Sequence, residues 1–200
     1  WHNYHSISTF SSTSNGAMEK FFGELGFEHS FNAYKYNGAT LVTESLFSVK
    51  YAISNRILTE SPLRSYYTGS DGEFIYKNNY TLPIGFMTYN DPYGWEADSA
   101  NDAGIENQNS LIKNLTGISN VFTLTYENAT DASFEVKPVK AGHLYMIVRN
   151  TSCDTVTATI NSSEYTYKDL KKGGTIIDLG YATPDDIIVI SGDTSMNASV

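Results

Sequence analysis

Ile75-Tyr-Lys-Asn-Asn-Tyr-Thr-Leu-Pro-Ile-Gly-Phe86 and Glu106-Asn-Gln-Asn-Ser-Leu-Ile-Lys-Asn-Leu-Thr-Gly117 frame the stretch from Tyr76 to Phe122, and the fold is decided there. Before this stretch, short helical and strand signals alternate; beyond it the apolar period changes to two, the mark of half-buried strands. An α+β fold follows: a small mixed α/β N-terminal part over residues 1–118, then an antiparallel β-sandwich of jelly-roll type over 119–200. Pro83 cannot donate a ladder hydrogen bond, so Ile84–Tyr89 is expected as an edge strand. Leu111, Ile112 and Leu115 recur at helical spacing, and Gly117 is a natural stop, which predicts a helix over about Ile105–Leu115.

Working back from there, Ser65–Thr68 and Glu73–Tyr76 flank Gly69-Ser-Asp-Gly72 as a hairpin. Val49–Ser54 alternates as a strand, preceded by a short helix capped at Thr43. Ala17, Met18, Phe21, Phe22 and Leu25 form one helical face; Ser14 is the expected cap and Gly26 the left-handed stop. His5–Phe10 reads as a strand, and Asn32–Gly38 is turn-rich. Working forward, strands are expected at Val121–Glu127, Ala132–Val136, His143–Asn150, Thr155–Asn161, Glu164–Tyr167, Thr175–Leu179 and Ile187–Ser191. Turn signals separate them, the pattern of a sandwich. Leu144, Met146 and Val148 alternate with Tyr145, Ile147 and Arg149, so that strand should see little solvent on either face.

The composition narrows the function classes. The 200 residues carry 13 Lys and Arg against 22 Asp and Glu, a net charge of -9, which disfavours nucleic acid and anionic lipid as partners. Cys153 is the single cysteine, so neither an internal disulfide nor a thiolate zinc site can form. His2 and His5 lack a third ligand at metal spacing, and no cofactor or metal is expected. No apolar run approaches the ~18 residues of a membrane span. The abrupt start at Trp1-His-Asn-Tyr-His5 suggests a piece of a longer protein. Six Asn-x-Ser/Thr triplets (Asn79, Asn114, Asn128, Asn150, Asn161, Asn197) are glycan acceptors in one reading and the by-product of an Asn/Ser/Thr-rich exported bacterial domain in another.

No nucleophile elbow, phosphate loop or catalytic constellation appears, and no catalytic residue is assigned. Asp91, Glu96, Asp98, Asp102 and Glu106 crowd one loop, open to readings as a calcium site, a glycosidase pair or a solvated acidic loop. Tyr89, Tyr93 and Trp95 lie in the same loop, with Asn107, Gln108 and Asn109 close by. Aromatic faces stack on sugar rings and amides bond hydroxyls, which makes these six the candidate ligand-binding residues. The alternative is that Trp95 folds back on the sheets and the amides serve a helix end.

Five phrases carry a resemblance: Tyr4-His-Ser-Ile-Ser-Thr-Phe-Ser-Ser-Thr13, Thr43-Glu-Ser-Leu-Phe-Ser-Val-Lys-Tyr-Ala-Ile-Ser54, Ile75-Tyr-Lys-Asn78, Leu82-Pro-Ile-Gly-Phe86 and Asn107–Gly117 with Val121-Phe122. In order and spacing they resemble the large extracytoplasmic domain of the YfhO family of bacterial membrane proteins. One departure is Ser48, where the family usually has a small residue, often glycine. The resemblance implies a polytopic protein of mostly Gram-positive bacteria, similar in layout to membrane glycosyltransferases that use lipid-linked sugars. It also implies a link to glycosylation of cell-wall polymers such as lipoteichoic acid. The catalytic acid would then lie outside these residues, and this part would face outward from the membrane, non-catalytic, with a docking or structural role. Its partners would be a cell-wall glycopolymer or glycolipid, and the membrane through segments outside this stretch. A surface adhesin or lectin module and a secreted glycosidase working through Asp91 or Glu96 are the alternatives.

Overall fold

The helical face around Phe22 folds as α1 (Gly16–Glu24) in a computed structural model that describes residues 6–54, 61–69, 73–100, 102–128, 130–150, 152–170 and 173–200. Asn15, one residue beyond the expected Ser14, is the cap: its side chain accepts from Ala17 N at 2.9 Å. Phe22 and Leu25 are buried, whereas Met18 is exposed. At the far end Gly26 takes φ 86°. Phe27 N donates to Phe22 O and Gly26 N to Gly23 O, a Schellman ending that requires a left-handed residue at this place. Three short strands, β1 (Thr9–Phe10), β2 (His29–Ser30) and β3 (Ala33–Tyr34), pair antiparallel beside α1 in the order β1-β3-β2. Residues 1–5, which include His2 and His5, lie outside the described residues.

The second helix, α2 (Leu41–Leu46), is capped by Thr40 and not by Thr43. Thr43 sits three places further on and returns the bond, completing a capping box. Its C-terminus repeats the Schellman pattern, with Val49 N on Glu44 O at 2.8 Å and Ser48 N on Ser45 O at 3.3 Å. The left-handed position is Ser48, at φ 59°. That is the position at which the resemblance leads one to expect glycine.

A second sheet combines β4 (Tyr51–Ser54), β5 (Arg64–Thr68) and β6 (Phe74–Asn78) in the order β4-β6-β5. The expected hairpin is present, paired from Arg64↔Asn78 to Thr68↔Phe74, and its turn residues 70–72 lie outside the described residues. The edge strand expected at Ile84–Tyr89 does not form. Pro83 withholds a donor, and Ile84 and Met87 point to solvent instead of toward a partner strand. The segment is tied by backbone bonds near its ends, Leu82 N to Ser45 O and Tyr89 N to Leu115 O. A single 3-10 turn (Pro92–Gly94) precedes α3 (Gly104–Thr116), which ends at Gly117 with φ 75°.

Beyond α3, eight strands form two antiparallel sheets. One has the order β11-β10-β13-β8, from β8 (Ser133–Val136), β10 (Val156–Ile160), β11 (Ser163–Tyr167) and β13 (Ile188–Gly192). The other has the order β12-β9-β14-β7, from β7 (Glu127–Asn128), β9 (Gly142–Val148), β12 (Ile176–Ala182) and β14 (Ala198–Ser199). The expected strand Val121–Glu127 shrinks to β7, because Asn109 clasps Phe122 by both its N–H (2.8 Å) and its C=O (3.0 Å). The two-residue β14, not expected from sequence, lies between β9 and β7.

Both sheets feed one core that contains Val136, Met146, Val148, Val156, Ala158, Ile160, Ile188 and Ile190. In β10 burial alternates strictly, whereas β9 is buried on both faces from Leu144 to Val148. The reason is packing on the outer side: Tyr145, Ile147 and Ile176 are covered by Ile105 and Phe122. The structure is therefore α+β, mostly antiparallel sheet with few helices.

Gly104 and Gly26 touch backbone to backbone. A Cβ on Gly104 would stand 2.7 Å from Gly26 Cα. In an open helix Gly→Ala stabilises by about 0.5–1 kcal/mol; here Gly104→Ala should destabilise by about 1–3 kcal/mol, as overpacking does. Ser48→Gly should have the opposite sign, a gain of up to about 1 kcal/mol from relieving the left-handed serine. Urea denaturation of the two variants checks both signs.

Candidate functional site

Two carboxylates, a guanidinium and an imidazole from distant parts of the chain meet beside the β4-β6-β5 sheet. Arg64 opens β5 and is buried; its Nη1 donates to Asp178 Oδ2 at 2.9 Å and its Nη2 to Glu44 Oε1 at 2.7 Å. Glu44 comes from α2, Asp178 from β12. The Tyr36 hydroxyl also donates to Glu44. His143, on β9, places Nε2 at 2.5 Å from Asp178 Oδ1. Asn78 Nδ2 completes the surroundings of Glu44, at 3.3 Å from Oε2.

Local sequence explains how Asp178 is presented. The β12–β9 register slips between Asp178 and Gly180, and Gly180 takes φ 88°. Its N–H donates to Asp178 Oδ1 at 2.8 Å, so the bulge turns the carboxylate and helps to hold it. The strand expected to stop at Leu179 continues through this bulge to Ala182.

The two acids are driven apart. Burial alone would raise Asp178, but His143, Arg64 and the Gly180 N–H outweigh it and hold the carboxyl down at about 2. Burial raises Glu44 above the usual carboxylate range despite Arg64 and the Tyr36 hydroxyl. Burial works against the Arg64 cation, yet Asp178 and Glu44 raise its affinity for the proton above the ordinary value. Asp178 is therefore the firm anion of the group. Tyr36 and Tyr145 stay protonated, their hydroxyls pushed well up by burial and by the neighbouring acids.

The cluster opens into a cavity of about 570 Å³. Tyr36, Tyr76 and Tyr167 line it together with Arg64 and Asp178; Glu44 lies behind Arg64 and is not part of the lining. Tyr167 donates its hydroxyl to Asp178 O at 2.7 Å. Arg64 Nε is buried without a hydrogen-bond partner among the described residues. Glu28, Glu73 and Asp169 share the rim with Lys168, so the lining as a whole is acidic.

The residues proposed from sequence lie elsewhere, and the structure separates them. Tyr89 and Tyr93 are exposed. Trp95 is half-buried, with its ring edge-on to Phe21 and Nε1 donating to Ser110 Oγ at 2.9 Å. Asn107 and Gln108 are buried: Asn107 Nδ2 donates to Glu24 O and Gln108 Nε2 to Leu25 O, each at 2.7 Å. These bonds, with the Asn109–Phe122 clasp, place the three amides in the frame of the fold. In the acidic loop, Asp91 caps the 3-10 turn through Tyr93 N, and Asp102 pairs with Arg149 at 2.8 Å. Among the described residues no group of three or more His, Cys, Asp or Glu is placed to hold a metal ion.

The buried cluster escaped the sequence reasoning because its members are 20 to 114 positions apart from Arg64. One signal was present: Asp178 is a lone charge inside Ile176-Ile-Asp-Leu179, an otherwise apolar strand.

The arrangement is a sheet-rich α+β unit with a polar, aromatic-lined cavity. The chain belongs to the YfhO family: that family's sequence model, described as bacterial membrane protein YfhO, matches residues 1–199. Comparison with curated proteins and with solved structures gave no match. Among the described residues no helix is long and apolar enough to cross a membrane.

Removing Arg64 leaves Glu44 and Asp178 buried without their shared cation, so Arg64→Met should destabilise by about 3–5 kcal/mol. In the unfolded chain Asp178 titrates near the usual 3.9, so its lowered folded value contributes about 2 kcal/mol of stability at neutral pH. That contribution is lost as pH falls from about 4 through about 2. Glu44 has the opposite sign: its raised value makes burial costly once pH rises past its unfolded pKa. Urea denaturation across pH should show a shallower acid-side decline in Asp178→Asn than in the parent. Glu44→Gln should lose less stability than the parent on the neutral side.

Proposed function

We propose that this part of the protein is an outward-facing, non-catalytic sugar-docking domain of a glycosyltransferase-like membrane protein that glycosylates a cell-wall polymer such as lipoteichoic acid. Residues 1–118 and 119–200 form its two parts. The carrying observation is the cavity in which the ionised Asp178, Arg64 and three tyrosines converge. Sugar recognition asks for this combination: fixed charged acceptors and donors for hydroxyls, and aromatic surface for C–H faces. Asp178, held at about 2, is ionised and accepts hydrogen bonds at neutral pH. The strand orders β12-β9-β14-β7 and β11-β10-β13-β8 support a jelly-roll assignment for the sheet pair, an architecture shared with lectin domains; this support is by analogy.

The acidic lining selects among ligands. Glu28, Glu73, Asp169 and Asp178 outnumber Arg64 and Lys168, so a phosphate backbone is repelled and a neutral sugar unit is accepted. Docking would then recognise the sugar being transferred or already attached, and not the polymer's glycerol-phosphate chain.

Titration calorimetry or ligand-observed NMR with neutral monosaccharides and a glycerol-phosphate oligomer tests this. The expected result is binding to at least one neutral sugar at about millimolar Kd, and none to the oligomer. Ala52→Trp, on the cavity wall opposite Tyr76, should abolish that binding with the fold intact. Silence across all the sugars, or unchanged binding by Ala52→Trp, removes the assignment.

A further inference from the structure

Ile84, Met87, Tyr89 and Tyr93 are 95%, 99%, 82% and 96% exposed, all within ten positions of one irregular segment. Scattered exposed apolar residues are ordinary on a protein surface; a contiguous group marks a contact. The segment is held out and does not hang free. Leu82 N is bonded to Ser45 O at the end of α2, and Tyr89 N to Leu115 O at the end of α3, at 2.6 Å. Asn90 Nδ2 adds a bond to Asn114 O at 2.9 Å. Backbone fixed at both ends with the largest apolar side chains turned outward is a presented surface.

We infer that this strap docks on the surface of a lipid bilayer, with Ile84 and Met87 entering the acyl boundary and Tyr89 and Tyr93 at the headgroup level. Three observations select a bilayer as occupant. The family to which the chain belongs is one of membrane proteins. From Asn78 through Asn90 there is no charged residue, in a chain of net charge -9, so the stretch with Ile84, Met87 and Tyr89 offers no ion pairs by which a particular protein partner would be chosen. Tyrosine beside aliphatic side chains is the composition of a membrane–water boundary, where an aromatic ring is apolar at one end and wet at the other.

The same charge pattern fixes the lipid class. The strap carries no Lys or Arg to attract anionic headgroups, and its single charge, Asp91 between Tyr89 and Tyr93, is negative. Attachment therefore depends on apolar insertion into a zwitterionic interface, and it should resist salt and weaken as anionic lipid is added. This inference rests on family membership and on exposure alone. It is independent of sugar docking, whose blocking variant Ala52→Trp leaves the strap untouched.

The test is flotation of the 200-residue chain with phosphatidylcholine vesicles and with vesicles of phosphatidylcholine mixed with phosphatidylglycerol. The parent should float with the neutral vesicles at low and high salt, and less with the mixed ones at low salt. Ile84→Asp combined with Met87→Asp, both at fully exposed positions, should keep the parent's circular dichroism and melting temperature while losing roughly tenfold or more in partitioning. Met87→Trp should show a blue-shifted emission with vesicles and quenching by brominated acyl chains. Failure of the parent to float, equal flotation by the double variant, or an unquenched Trp at position 87 would each overturn the inference. So would self-association of the parent, without vesicle binding, that the double variant abolishes; the strap would then be a protein contact.

Discussion

Everything in the N-terminal part depends on how the last turn of α1 disposes of its carbonyl oxygens. A helix leaves its final C=O groups without intrahelical partners, and burying them unpaired is costly. Here Phe22 O and Gly23 O are taken by the backbone of the Schellman ending, Glu24 O by Asn107, Leu25 O by Gln108, and Gly26 O by Ile176 N. One helix end thus gathers its own turn, α3 and β12. Thr40 Oγ1 donates to Gln108 Oε1 at 2.6 Å, which brings in α2 as well. These contacts need backbones to approach closely, and Gly26 and Gly104, where α1 ends and α3 begins, permit it.

The charged cluster is a second tie among these elements, made by side chains. Leu41 N, at the open start of α2, donates to the Tyr145 hydroxyl at 2.9 Å, so β9 helps to cap this helix. Arg64 then spans from β5 to α2 and β12. The cation stands between two acids pushed in opposite directions: Asp178 is the firm anion, and burial raises Glu44. A single guanidinium can in this way hold two buried carboxyls, and the cavity inherits an anion whose state is fixed across the physiological range.

The sequence exposed the elements whose signals are local. Gly26 and Gly117 stop their helices as expected from their place after apolar faces, and the alternation in Val156–Ile160 and Ile188–Gly192 announces half-buried strands. The double burial of β9 was legible too, since both its registers are apolar. What escaped depends on long-range partners. Ile84–Tyr89 has strand-like residues but no partner strand, and propensity yields to the missing ladder. Asn107 and Gln108 look like ligand-binding amides in one dimension; in three they face carbonyls from residues 83 positions away. Arg64 carries no mark of burial in its own neighbourhood, so the cavity could not be read from composition.

The position of β14 has a bearing on how the chain assembles. Ala198 and Ser199 separate β9 from β7, and Val200 exchanges backbone bonds with Tyr126. The middle of a four-stranded sheet is therefore occupied by residues that leave the ribosome after all the strands around them. Until they arrive, β7 and β9 have no common neighbour and the core over Met146 and Val148 stays open on that side. Loop closure over some seventy residues between β7 and β14 is an entropic barrier met only once β14 has been made. Assembly of this sheet waits for β14, and the edges of β7 and β9 are the surfaces a cell must guard from stray pairing in the interval.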